Sequence, residues 1–181
     1  MISVNDKLIN FAVFQVVWFA SVLAGGTSWH WLATLLIAMA VTWQWSRADY
    51  PGREMVLVML ALLVGILWDS YLVKQGVTSY SHGQLSPEFA PHWIVALWAL
   101  FATTLNLSLR WLRKSLWLAA LFGAIGGPLA YLAGSKLGSV SFSSTGSAML
   151  VLALGWAVFT PLLVRLAMRF DGFAHRAVLR S

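Results

Sequence analysis

The sequence predicts an all-α, polytopic membrane protein with six transmembrane helices and both N-terminus and C-terminus in the cytoplasm. Three observations carry that prediction. Of the 181 residues, 60% are apolar and only 10% charged, against roughly 25% charged in an ordinary soluble domain, and the mean hydropathy is +0.77. The apolar residues gather into six stretches, each near the length of about 20 residues that a helix needs to cross a hydrocarbon core of about 30 Å. Lysine and arginine divide unevenly between the connectors, which orients the spans.

The stretches are residues 8–23, 29–45, 55–73, 92–109, 116–133 and 148–168. Together they take about 120 residues. The rest is tails and connectors, so residues 1–181 are expected to form a single six-helix transmembrane domain. With the N-terminus inside, ten of the twelve basic residues fall on the cytoplasmic side and only Lys74 and Lys136 on the other. The net charge of +6 is then a topology signal, and no nucleic-acid surface is expected. Indole prefers the headgroup level, and Trp29, Trp31, Trp43, Trp45, Trp93, Trp111 and Trp117 fall near predicted span ends. Trp18, Trp68, Trp98 and Trp156 sit further in, where they are expected to pack between helices.

The first span has a rival reading as a signal peptide cleaved before Gly25, but Asn10 and Gln15 interrupt its apolar run and cleavage would leave five spans. Residues 25–28 make a tight outer turn between spans one and two. Residues 46–54 (SRADYPGRE) form an inner loop with a Pro-Gly turn signal. Residues 74–91 are the longest connector, outer and rich in Gly, Ser, Thr and Pro. Residues 110–115 are a short basic inner loop, and residues 134–147 (GSKLGSVSFSSTGS) an outer, irregular one. At the C-terminal end Arg165, Arg169, Arg176 and Arg180 fall roughly on one helical face beside Leu166, Phe170, Phe173 and Val178. This is either a basic amphipathic tail lying on an anionic leaflet or simply a positive-inside stop. Three spans followed by three invite an inverted repeat, which the residues leave open.

Polar groups inside a membrane are costly, so they point to function. Depth sorts them into two layers. The inner one holds Asn10, Gln15, Gln44, Thr103 and Asn106; the outer one holds Asp69, Tyr71 and Tyr131, with His30 and His92 at the boundary and His82 in the loop above. Asn10, Gln15 and Asn106 are expected to form an inner polar patch, either as a binding site or as interhelical glue worth about 0.6 kcal/mol per contact. Asp69 is the only acid placed within a span. It must face the bundle or a wet cavity, with Tyr131, His30 or Lys74 as partner. Asp69 lies about 21 Å up span three and Asn106 about 21 Å down span four, so the two should not share one site.

Span five contains Gly123 and Gly127, a GxxxG face that admits a neighbouring helix. Pro128 lacks an N–H and frees a carbonyl one turn back, giving either a packing kink or a broken helix that offers backbone groups to a substrate. There is no HExxH, GxSxG, P-loop or CxxC motif. Without cysteine, disulfides, thiolate zinc sites and Cys nucleophiles are excluded. No metal and no cofactor is expected; the scattered histidines have no ligand spacing that supports zinc.

Several stretches have a familiar look: FxxFQxxWFA at residues 11–20, the span of Asp69, PHWIVALWALFATTLNLSLRWL from Pro91, and LFGAIGGPLAYLAGSKLG from Leu121. Together they resemble, over nearly the whole chain, a family of small bacterial inner-membrane proteins known only as a domain of unknown function. Members usually carry a histidine after the Asn of the TTLN segment, where this chain has Leu107. The resemblance implies no established activity. It implies an association with fatty-acid-modifying enzymes, methyltransferases similar to cyclopropane-fatty-acid synthase among them.

The leading expectation is an inner-membrane protein that binds or handles a lipidic or small amphipathic molecule in its helix bundle, through Asn10, Gln15, Asp69, Asn106, Pro128 and Tyr131. Its partners would be membrane lipids and a lipid-modifying enzyme or other membrane protein. A small-molecule transport component similar to a vitamin-capture subunit is the second reading. An intramembrane lipid enzyme using Asp69 with an outer histidine is the third, and a structural partner of another membrane enzyme the fourth. A lipid handler should show a lateral opening lined by apolar side chains.

Overall fold

The computed structural model describes residues 2–173. Its elements in chain order are α1 (Val4–Gly25), α2 (His30–Ser46), α3 (Pro51–Lys74), β1 (Thr78–Ser79), α4 (His92–Leu105), a 3₁₀ turn (Arg110–Lys114), α5 (Leu116–Lys136), β2 (Ser141–Phe142) and α6 (Thr145–Arg169). The helices α1, α3, α5 and α6 are each long and apolar enough to cross a membrane. The other two are shorter, 17 residues in α2 and 14 in α4, rising about 25 and about 21 Å.

Local chemistry sets the helix starts. Ser3 caps α1, its hydroxyl accepting from Asp6 N while the Asp6 carboxylate accepts from Ser3 N, which satisfies two donors that a helix start leaves open. The Pro-Gly signal in residues 46–54 marks a helix start rather than a turn. Pro51 occupies the first position of α3, where its missing N–H costs nothing and its fixed φ suits the helix. Helix α3 therefore begins four residues before the expected Met55, and Glu54 joins Asp69 as a second acid within a long apolar helix.

Helix α4 is the pillar of the bundle. Eleven of its 14 residues are buried, and it packs against α1, α2, α3 and α6. A helix apolar all round has to be covered on every side. The outer helices show the converse: Val16 is 69% exposed, Leu67 65% and Leu154 63%. An apolar jacket of that kind is what lipid covers and water does not. The expected fourth span runs to 109, but the helix stops at Leu105 because Asn106, its C-cap, turns its side chain into a polar network.

Helices α5 and α6 form a tight hairpin. A Cβ at Gly123 would meet the Trp156 carbonyl and the Thr160 side chain, and one at Gly127 the Trp156 indole, so the GxxxG face does admit a neighbour. Helix α5 continues unbroken through Pro128, which removes the broken-helix reading. At the opposite end from the basic loops, β1 and β2 pair antiparallel, Thr78 opposite Phe142 and Ser79 opposite Ser141. This ribbon ties residues 74–91 to residues 134–147, a stretch expected to be irregular.

Two further expectations are corrected. Trp93 is fully buried, its indole donating to the His82 carbonyl at 3.2 Å and filling the space over Gly25 and Gly83; it is a packing residue rather than a headgroup anchor. Beyond α6 the chain turns under the bundle, and Phe173 is buried with Ile2 and Leu107. The rest of the expected amphipathic tail, Arg176, Val178 and Arg180 included, lies outside the described residues.

Candidate functional site

The α5–α6 hairpin docks through α6, and α5 stands away from α1. Between them lies a groove of about 390 Å³. Its α1 wall is Phe11, Phe14, Gln15, Trp18 and Val22; its floor is α4, from Trp93 to Thr104; its far wall is α5, from Phe122 to Gly134, backed by Trp156 and Thr160. The lining is overwhelmingly apolar and strongly aromatic. Trp98 and Trp156 stack at 4.6 Å and 12° along its floor, with Phe101 edge-on to Trp156 at 5.4 Å. Gly126 leaves space: a Cβ there meets nothing nearer than Phe122 Cε1 at 3.9 Å. The floor from Trp93 to Thr104 rises about 17 Å, so the groove follows the bundle lengthwise.

Of the sequence-predicted residues, Tyr131 lies in the groove wall and Asp69 stands behind it. Asp69 is fully buried. One carboxylate oxygen accepts from Trp98 Nε1 at 2.6 Å and the other from the Tyr131 hydroxyl. The acid thus holds a floor residue and a wall residue by their polar atoms without itself lining the groove. Tyr131 was an expected partner. Trp98 was not, although a glycine one turn before the acid on α3 was a signal, because the indole sits over Gly65.

A second cluster closes the basic end. Asn106, fully buried, donates to Glu54 Oε1 and to the Phe170 carbonyl and accepts from Arg113. Arg113 also donates to Asp171 at 2.8 Å and to the Ala167 carbonyl at 3.0 Å, while Arg110 pairs with Asp171 at 2.6 Å. Burial pushes the Asp171 carboxyl up, but the hydrogen bonds from Arg110 and Arg113 and their charges outweigh it, so it lies below the usual aspartate value. The same burial lowers the Arg113 guanidinium, against the pull of Asp171. The cluster joins the start of α3, the end of α4, the 3₁₀ turn and the end of α6. Glu54, Arg113 and Asp171 escaped sequence reasoning because each looked like a loop charge; only the proline at the start of α3 pointed to the first.

The structure does not bring Asn10, Gln15 and Asn106 into one patch. Asn10 donates to the Thr103 carbonyl at 3.2 Å and accepts from the Ser108 hydroxyl at 2.6 Å. Gln15 is exposed on the groove wall, and Gln44 lies at a different cavity between α2 and α3. Pro128 is buried in the α5 wall. Asp69 and Asn106 keep separate partners, Trp98 and Asn106 lying eight positions apart along the chain, about 12 Å in a helix.

The histidines meet one another instead of Asp69. His30 Nδ1 and His92 Nε2 are 3.0 Å apart, His92 Nδ1 is 2.7 Å from the Thr34 hydroxyl, and the His82 ring stacks near His30 at 6.3 Å. Among the described residues, no three His, Asp or Glu side chains are placed to hold a metal ion.

The fold and these sites define an all-helical protein with membrane-compatible helices, an apolar groove between α1 and α5 and two buried polar clusters. The chain belongs to the family described as protein of unknown function (DUF2878), which matches residues 7–162. Neither the curated proteins nor the solved structures yield a match.

Proposed function

We propose that the protein resides in the bacterial inner membrane, crosses it six times with both termini cytoplasmic, and binds a lipidic or small amphipathic molecule in the groove between α1 and α5. The groove is the observation that carries the reading. Its walls are apolar, and its lining includes Phe11 on α1 and Leu129 on α5, large apolar side chains 51% and 58% exposed. Apolar pockets with few polar groups suit ligands held mainly by burial. The uneven distribution of Lys and Arg supports the orientation. On this reading Asp69 is a positioning residue that fixes Trp98 and Tyr131, and a lipid-modifying enzyme is the partner that would draw on the bound molecule.

Filling the groove tests the reading. Gly126→Trp places an indole where a Cβ meets nothing closer than 3.9 Å, so it should block the groove and leave the helices in place. Gly146→Trp, at an exposed position with nothing within 4 Å of its Cβ, is the control. Lipids that co-purify with each variant are identified by mass spectrometry. A bound lipid lost in Gly126→Trp and kept in Gly146→Trp supports the assignment. Equal lipid content in both defeats it.

A further inference from the structure

A second cavity, of about 200 Å³, lies between α2 and α3 at the basic end of the bundle. It shares no lining residue with the α1–α5 groove. Two polar side chains in its wall are withdrawn from the surface, Gln44 and Glu54, each 3% exposed. The Gln44 amide nitrogen is buried with no hydrogen-bond partner. Glu54 carries both of its hydrogen bonds on one oxygen, Oε1, which accepts from Asn106 Nδ2 and from Gly172 N; Oε2 takes neither. A donor and an acceptor therefore border one cavity with their capacity unused, where native interiors normally supply partners.

We propose that this cavity is a binding site for the uncharged hydroxyl head of a membrane lipid. Its oxygen accepts from Gln44 Nε2 while its O–H donates to Glu54 Oε2. A hydroxyl both donates and accepts, so one group completes both residues. Charge argues against an ionic head. Glu54 and Asp171 already face Arg110 and Arg113 in one buried cluster, and a fifth charge would bear its desolvation without a counter-ion. The route of entry argues for a lipid rather than a solute. Met55 and Met59 on the lining are 41% and 58% exposed, and Trp43 and Trp45, each 36% exposed at the end of α2, are of the residue type that favours the headgroup boundary. The volume is several times the share of about 30 Å³ that one water occupies in the liquid.

Native mass spectrometry of the full chain tests this, with dioleoylglycerol, dioleoylphosphatidylcholine and dioleoylphosphatidylethanolamine offered in turn at equal concentration. Phosphatidylcholine has no hydrogen-bond donor in its head, and phosphatidylethanolamine donates only as an ammonium. The diacylglycerol adduct should exceed the phosphatidylcholine adduct about tenfold, the factor that one hydrogen bond to a charged group supplies. Gln44→Leu removes the donor without breaking any bond the protein makes. It should weaken the diacylglycerol adduct while the melting temperature holds or rises, and Glu54→Gln, which keeps an oxygen for Asn106 and Gly172 but replaces the open acceptor by a donor, should abolish the preference. Gly126→Trp should leave the preference intact, which separates this site from the groove. The proposal is overturned by the absence of a preference, by a diacylglycerol adduct unchanged in Gln44→Leu, by a preference that survives Glu54→Gln or vanishes in Gly126→Trp, or by an equal response to phosphatidylethanolamine. Groove lipids lost in Gly126→Trp bear only on the groove.

Discussion

Trp98 lies across Gly65 and donates its indole N–H to Asp69, so one α4 side chain engages two positions one turn apart on α3. The missing side chain at Gly65 and the acid at Asp69 are a single receptor for that ring. Because the ring also stacks on Trp156, the contact reaches from α3 to α6 through the floor of the groove.

Asp69→Leu should therefore destabilise the fold by about 2–5 kcal/mol, since it leaves the Trp98 N–H and the Tyr131 O–H buried without an acceptor. Asp69→Asn keeps the shape and one acceptor and should cost about 1 kcal/mol. Thermal melting in detergent measures both. If Asp69→Leu melts with the wild type, the carboxylate is not holding the groove.

Asn106→Leu should be far more damaging than loss of a single interhelical contact. It removes one hydrogen bond from Glu54 and one from Arg113, and a hydrogen bond to a charged group is worth about 1.5–3 kcal/mol. Combined with Asp69→Asn, its effect should add to within about 0.5 kcal/mol, as expected of sites with no shared partners. A double-mutant cycle on melting free energies decides; strong coupling would join the two sites that the structure keeps apart.

The contrast between these two residues shows what the sequence made legible. Each of the six helices overlaps one expected stretch, although most overrun its ends, because a membrane-length apolar run needs no tertiary information to be recognised. The depth of Asp69 followed from counting residues, and Tyr131 from being the polar group at the same level. Glu54 and Arg113 were not legible. A charge at the edge of an apolar run looks solvated until the fold puts another helix end over it, as Phe170–Gly172 does here. The groove was illegible for a different reason: it is a gap between α1 and α5, created by how α6 docks, and no pattern in either helix records it.

The glycines of α5 give a paired prediction. Gly127→Ala drives a methyl group into the Trp156 ring and should lower stability by about 1–3 kcal/mol, the usual range for overpacking. Gly126→Ala meets only open groove and should hold or raise stability by up to about 1 kcal/mol through helix propensity. Equal melting temperatures would mean that the α5–α6 contact is looser than the structure has it.

Asp171 sets a pH dependence. Its carboxyl lies below the usual aspartate value because Arg110 and Arg113 hold it ionised. A group depressed in the folded state contributes stability that is fully present above its unfolded value, about 3.9 for aspartate, and is lost as pH falls through the folded value. Wild type should thus lose stability relative to Asp171→Asn as pH drops from about 5 to below about 4. Melting curves across that range test the sign; a gap that widens on acidification reverses it.

Topology is open to reporter fusions. Fusions after Ser46, Lys114 and Ser181 should read cytoplasmic, and those near His82 and Ser141 should read periplasmic. The last two must agree in any case, since the β1–β2 ribbon binds their loops together. An external signal at Lys114 would reverse the orientation, because Arg110, Arg113 and Lys114 share that loop.

The burial of α4 bears on how the bundle tolerates membranes of different thickness. A helix of 14 residues spans only about 21 Å of a core near 30 Å, a mismatch that in a lipid-facing helix would force thinning or tilt. Here most of α4 is covered by protein, and only its groove side would meet acyl chains. The ends of α4 at Pro91 and Asn106 are themselves buried, so the irregular backbone beyond them is sheltered in the way membrane proteins require. In a bilayer the outer helices would take most of the contact and could lean as it thickens or thins, while the axis they lean against keeps its length.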